Sequence, residues 1–365
     1  KVREFPAIEF ETTSKMLLIG TDADMLAFAD MVKAGTFDAQ YQGALLVADI
    51  DVTDKGLTTI DNYASVFEGR HYSIKGLTQP LIGENVVATI SNLGVEANIV
   101  EAANGKVGIL ARSLAVAGDK VGTIFNCSAT GSIEYKNAAL AVKNDYKLIN
   151  IGGVVGGVYG GKVSLAESNV NITIATIAGD DGKSQNFYPS IGGVVGYVCA
   201  DGDNLPVVAE STSNGAISWN DDSESTKSFP YIGGVAGYVT AGSFESNINS
   251  GALAINKPMD DLDWGGVIGA SKVSVVNCEN KGSLTINQQI TKANIGGVVG
   301  LTEVNLTNCE NHGVLTLGST NGEYRYTAGI GGVVGKAAAD ITLTNCDNHA
   351  AINHTANFTV MRLGG

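Results

Sequence analysis

The chain of 365 residues carries 47 Gly, only 6 Pro, 16% charged and 44% hydrophobic residues, and a net charge of −14. That composition excludes a disordered chain and fits many short strands joined by tight turns. The acidic balance argues against nucleic acid and anionic membrane surfaces as partners, and no apolar run is long enough for direct membrane insertion. No signal peptide is visible. The chain opens at Lys1 rather than Met, which suggests a processed or trimmed form.

Residues 1–43 read as an extended lead-in followed by one helix. Thr21 can cap that helix, with Asp24 as its capping-box partner three residues on. Met25, Phe28, Ala29 and Val32 form its apolar stripe, and Gly35 is a C′ stop. A lone amphipathic helix ahead of a stacked fold would cover the open end of the core. Strands are expected over 44–52 and around 66–77.

From Leu81 onwards the chain repeats itself. A Gly-Gly hexapeptide starts at Ile151, Ile191, Ile232, Trp264, Ile295 and Ile330. A Cys/Asn-bearing segment follows each copy, as at 273–278, 304–309 and 341–346. A third segment then opens on glycine, at Gly131, Gly215, Gly251, Gly282 or Gly313, and runs through Ile133, Ile217, Leu253, Leu284 and Leu315. Repeats of this kind stack, each burying its apolar face on its neighbours. Three strands per turn describe a parallel β-helix. A β-propeller competes, but the last Gly-Gly spacings of 32, 31 and 35 residues are short for four-stranded blades. The expected fold is therefore all-β: a parallel β-helix of about eight or nine rungs, spanning 44–365 as one continuous solenoid.

Recurring columns carry little chemistry. Cys127, Cys278, Cys309 and Cys346 share one repeat position, which other repeats fill with Ala166, Ser211 and Asn247. There is no C-x-x-C pair, so small buried residues with free thiols are expected. Asn277, Asn308 and Asn345 precede that position, and Asn280, Asn311 and Asn348 follow it by two. Both sets read as corner ladders, bonded amide to amide from rung to rung. Trp219 and Trp264 fall in apolar columns and should point inward.

The Gly-Gly-Val-Val-Gly motif and the following Asn-Cys-Glu-Asn-x-Gly resemble the GLUG-type repeat of bacterial surface proteins. Thr21-Asp22-Ala23-Asp24-Met25-Leu26 looks like their capping helix, and Ala48-Asp49-Ile50-Asp51-Val52 like their first strand. The segment from Phe67-Glu68-Gly69 to Ile74-Lys75-Gly76-Leu77 resembles the one that follows it. The likeness covers nearly the whole chain from about residue 15; the repeats around Gly83 and Gly108 depart from the pattern. It implies a right-handed parallel β-helix, an adhesin-like protein exported to the bacterial cell surface, and it implies no catalytic set.

β-Helices also carry polysaccharide lyases and hydrolases, which need clustered carboxylates with a nearby base, or paired carboxylates. Here the five Arg neither recur nor pair with acidic clusters in sequence, and no Ser elbow, P-loop or zinc motif is present. His312 and His349 share a repeat position with Lys281; stacked, they could bind a metal, although solvated corner residues are the plainer reading. Asp180, Asp181, Asp221, Asp222, Glu224, Asp260, Asp261 and Asp263 precede successive Gly-Gly strands and would build an acidic ridge on one corner. Like charges about 5 Å apart repel by roughly 0.8 kcal/mol in water, so Ca²⁺ or a ligand could sit there. The loop at Asp201-Gly202-Asp203-Asn204 resembles a Ca²⁺ loop in composition without completing one. Glu279, Glu310 and Asp347 form a second acidic column.

These residues point to a non-enzymatic cell-surface adhesin or ligand-presenting scaffold with no resident cofactor. It would contact an extracellular glycan or protein through acidic loops and repeated positions such as Thr285 and Thr316. The alternative is a carbohydrate-active β-helix, either a glycan-binding module or a lyase or hydrolase.

Overall fold

A computed structural model describes residues 15–137, 149–177, 188–220, 229–259, 261–288, 290, 292–318, 324–338, 340–355 and 358–364. The chain winds as a parallel β-helix. One coil shows the plan: Val275–Val276 lies in the first sheet, then Glu279–Asn280 and Leu284–Ile286 in the second. Ala293–Gly296 follows in the third sheet and Val299–Thr302 in the fourth. Leu306–Thr307 then returns to pair in parallel with Val275–Val276. The four sheets contain 11, 15, 8 and 7 described strands.

The first sheet has one strand per rung, so among the described residues its eleven strands mark eleven rungs rather than eight or nine. It begins inside the lead-in. Met16–Ile19 pairs in parallel with Gly43–Leu46, so the ladder runs unbroken across residue 44. The early rungs around Gly83 and Gly108 carry degenerate motifs yet keep the register: Val66–Glu68 pairs with Thr89–Ser91, which pairs with Thr123–Phe125.

Helix α1, Asp22–Lys33, is capped as its sequence demands. Asp24 N–H donates to Thr21 Oγ1 at 3.1 Å, and Gly20 N–H and the Thr21 hydroxyl donate to Asp24 Oδ2. Met25, Phe28 and Val32 are buried. The Phe28 ring lies 5.2 Å from both Phe37 and Tyr63 and 5.6 Å from Phe67. This aromatic cluster covers the N-terminal end of the apolar column.

The Gly-Gly segment is two strands rather than one, because Gly297 and Val298 turn the chain between the third and fourth sheets. The turn folds the fourth sheet back onto the third. A Cβ on Gly300 would collide with the Trp264 backbone N–H and the Gly269 carbonyl of the preceding rung, so only glycine permits that approach.

Inward columns match the sequence periodicity. Trp219 and Trp264 are buried. All five cysteines are free thiols, with Cys127, Cys199, Cys278 and Cys309 buried and Cys346 partly so. The two asparagine columns differ. Asn277, Asn308 and Asn345 sit at an exposed corner with φ of 53, 53 and 50°, the left-handed conformation asparagine tolerates. Asn249, Asn280 and Asn311 are fully buried, and so belong to the interior rather than a corner. Each donates one amide N–H to the next rung's amide oxygen, at 2.8, 2.8 and 2.7 Å, ending on Asn348.

Candidate functional site: a crease between two sheets and a histidine–carboxylate column

Two places collect polar side chains on the outside of the coil. The first is the crease where the fourth sheet folds back on the third. Outward positions of the third sheet run Asn150, Ser190, Tyr231, Asp263, Asn294 and Gly329 in register. Those of the fourth run Gly157, Tyr197, Tyr238, Ala270, Leu301 and Lys336. The two columns meet across the crease.

In the upper rungs aromatic rings fill it. Tyr231 stacks on Tyr238 with centroids 4.5 Å apart, Tyr238 lies 5.8 Å from Tyr197, and Tyr197 lies 6.1 Å from Tyr159. The Tyr159 hydroxyl accepts from Asn150 Nδ2 at 2.9 Å, and Lys106 Nζ lies 5.0 Å from the ring centre. Burial pushes the Tyr197 phenol up to about 12. Below Tyr238 the column shrinks to Ala270, and further down the crease opens. A cavity of about 520 Å³ there is lined by Asp261, Lys292, Asn294, Gly329 and Lys336.

Asp263 stands one rung from Asn294 in the same column, beside this opening rather than on its walls. Asn294 Nδ2 donates to its Oδ1 at 2.6 Å. Burial lifts its carboxyl from 3.8 to about 6; the Asp261 carboxylate adds to the rise, while Asn294 and Lys336 oppose it. A groove carboxyl with a displaced pKa beside a second carboxylate and ammonium groups can accept hydrogen bonds, hold a proton or balance a cationic group.

Of the expected acidic ridge, Asp261 and Asp263 are among the described residues. Asp261 and Asp263 face the crease, because Asp263 belongs to strand Asp263–Gly265 rather than to a corner loop. Asp180, Asp181, Asp221, Asp222, Glu224 and Asp260 lie outside the described residues. In the Asp201–Asn204 loop, the backbone N–H groups of Asp201 and Asn204 donate to each other's carbonyls at 3.1 and 3.0 Å, a closed turn. One arginine does pair with a carboxylate: Arg112 Nη1 donates to the buried Glu101 at 2.6 Å and to the Lys106 carbonyl at 2.8 Å. That pair clips the 101–112 loop. Sequence reading missed Asn294, Lys336 and the tyrosines. The position just before each hexapeptide holds Asn150, Ser190, Tyr231, Asp263, Asn294 and Gly329, and aligning it would have exposed the column.

The second place is the outer surface of the second sheet. Glu279, Glu310 and Asp347 lie in register, as the sequence predicts. Lys281, His312 and His349 form a parallel column two residues on. Lys281 Nζ contacts Glu279 at 2.9 Å, and His312 Nε2 lies 3.0 Å from Glu310 and 3.5 Å from Glu279. The His312 and His349 rings stack 4.6 Å apart at 16°. Thr285 and Thr316 stand in register on the same sheet, half-buried.

No helix among the described residues is long and apolar enough to cross a membrane. No protein-family model matches the chain, and no curated protein matches it. Among solved structures, the chain is similar to a candidate immunoglobulin A1 protease from Bacteroides ovatus, with 17% identity and a TM-score of 0.43. That alignment covers 95% of this chain and 83% of the other. A likeness of this size assigns no activity.

Proposed function

We propose that the protein is a rigid ligand-binding scaffold of the cell-surface adhesin kind, and that the crease between the third and fourth sheets is its recognition groove. The observation that carries this reading is the cavity of about 520 Å³ at the foot of the tyrosine column, with Asp261, Asn294, Lys292 and Lys336 on its walls. A groove with an aromatic end, an amide, carboxylates and ammonium groups suits an extended polyhydroxylated chain such as a glycan. The repeat resemblance to GLUG-type surface proteins supports an extracellular setting. The rest of each rung is committed to packing: interior positions are mostly apolar, with a column of small polar side chains from Ser168 and Ser213 to Asn249, Asn280 and Asn311, which leaves outward columns to meet a partner.

One observation favours a second reading, a glycan-cleaving enzyme. Asp263, raised to about 6, could donate a proton beside the Asp261 carboxylate, and paired carboxyl groups are what glycosidases use. A polysaccharide array probed with the wild-type chain and with Asp263→Asn and Lys336→Ala tests both readings. Saturable binding weakened at least about tenfold by Lys336→Ala supports the groove. Release of reducing ends, abolished by Asp263→Asn, would replace the scaffold reading with the enzymatic one. Binding indifferent to both variants would overturn the groove assignment.

A further inference from the structure

We infer that Glu310, His312 and His349 form a binding site for a first-row divalent transition-metal ion, of which Zn²⁺ is the natural probe. The site is separate from the crease and does not depend on it.

The placement begins with the buried asparagines. In a strand, residues i and i+2 share a face and i+1 points the other way. Asn311 is locked inside by its amide bonds to the rungs on either side, so Glu310 and His312 must both point out. The next rung repeats the arrangement with Asp347, Asn348 and His349. Backbone bonds hold the two rungs in step: His312 N–H donates to the Asn280 carbonyl at 2.7 Å, and His349 N–H donates to the Asn311 carbonyl at 2.8 Å. The imidazoles are thereby stacked by the fold, not by a flexible loop. The ligand atoms of Glu310, His312 and His349 all lie within 4.8 Å of one another.

Donors around a tetrahedral Zn²⁺ with bonds of 2.0–2.1 Å lie about 3.3 Å apart. All three side chains are exposed, so small rotations suffice to close the remaining distance. The charge pattern favours a cation too. Three stacked carboxylates, Glu279, Glu310 and Asp347, repel one another, and among the described residues the one lysine paired with them is Lys281, on Glu279. The two lower rungs carry imidazoles where that lysine would be.

The donor set selects the metal. Two nitrogens and one carboxylate suit Zn²⁺, Ni²⁺ or Cu²⁺, whereas Ca²⁺ takes oxygen ligands. Three protein ligands leave at least one position for water or for a carboxylate of a bound partner. The thiols do not compete, since four of the five are buried.

Calorimetric titration of the full chain with Zn²⁺ tests the site. The expected result is one saturable, EDTA-reversible site per chain. His312→Ala and His349→Lys, the latter copying Lys281, should each weaken it at least about tenfold, while His71→Asn leaves it unchanged. Circular dichroism should show all variants folded, as the altered side chains are on the surface. Absence of saturable binding, or binding that survives the His312→Ala/His349→Lys double variant, would overturn the assignment.

Discussion

The α-carbon of Gly297 faces the side-chain amide of Asn311. A Cβ on this glycine would lie 2.5 Å from Asn311 Nδ2 and would also collide with the Gly332 carbonyl of the next rung. The two signatures of the repeat, Gly-Gly and Asn-x-Gly, are thus opposite sides of one contact through the core. Neither neighbour can retreat: the amide is held by its own bonds and the carbonyl belongs to backbone. Gly297→Ala should therefore cost about 3 kcal/mol, read as a lower denaturant midpoint. A midpoint equal to wild type would mean that the contact is loose.

The buried amide ladder leads to a stronger effect. Asn280 Nδ2 donates to the Gly282 carbonyl at 2.9 Å and to Asn311 at 2.8 Å, while its Oδ1 accepts from Gly282 N–H at 3.1 Å and from Asn249 at 2.8 Å. Every donor and acceptor of the side chain is used. Asn280→Ala strands four partners in a dry interior and should destabilise by at least about 3 kcal/mol. The exposed pair Asn287–Asn256, at 2.7 Å, is the control. Asn287→Ala should stay within about 0.5 kcal/mol, because water replaces the lost bond. Equal effects for the two variants would refute the distinction between interior and surface ladders.

The thiols give a third expectation. Burial pushes Cys127 up to about 12 and Cys309 to about 11, so neither forms appreciable thiolate near neutral pH. Only Cys346 is more than slightly exposed. Titration with a thiol reagent at pH 8 should label about one thiol in the native chain and five after unfolding. Rapid native labelling of several would show that the thiol column is open.

The solenoid was legible because its periodicity is written at fixed offsets: Cys278 to Cys309 and Leu284 to Leu315 fall in the same columns in sequence and structure. The break at Gly297-Val298 was not legible, because apolar residues on both sides of it resemble one strand. The crease was hidden for a related reason. Its third-sheet wall comes from Asp263 and Asn294, one residue before the motif, where side chains vary from rung to rung and show no apolar signature. In sequence Asp263 belongs with the corner-loop acids, since only the parallel register with Tyr231 and Asn294 places it in a strand. The histidine column was visible in sequence, but its approach to Glu310 depends on Asn311 being buried between them.

Asp263 makes the fold sensitive to pH. Its carboxyl ionises near 3.8 in the unfolded chain and near 6 in the native one. Between those values the native state holds the proton more tightly, so this group's contribution is fully present below about pH 4 and is lost as pH rises through about 6. The loss amounts to about 2–3 kcal/mol by neutral pH. Asp263→Asn keeps the Oδ1 that accepts from Asn294 and removes the ionisation. Urea unfolding at pH 4 and pH 7 should show the variant matching wild type at the lower pH and exceeding it by about 2 kcal/mol at the higher. A parallel pH dependence in both proteins would place the proton on another group.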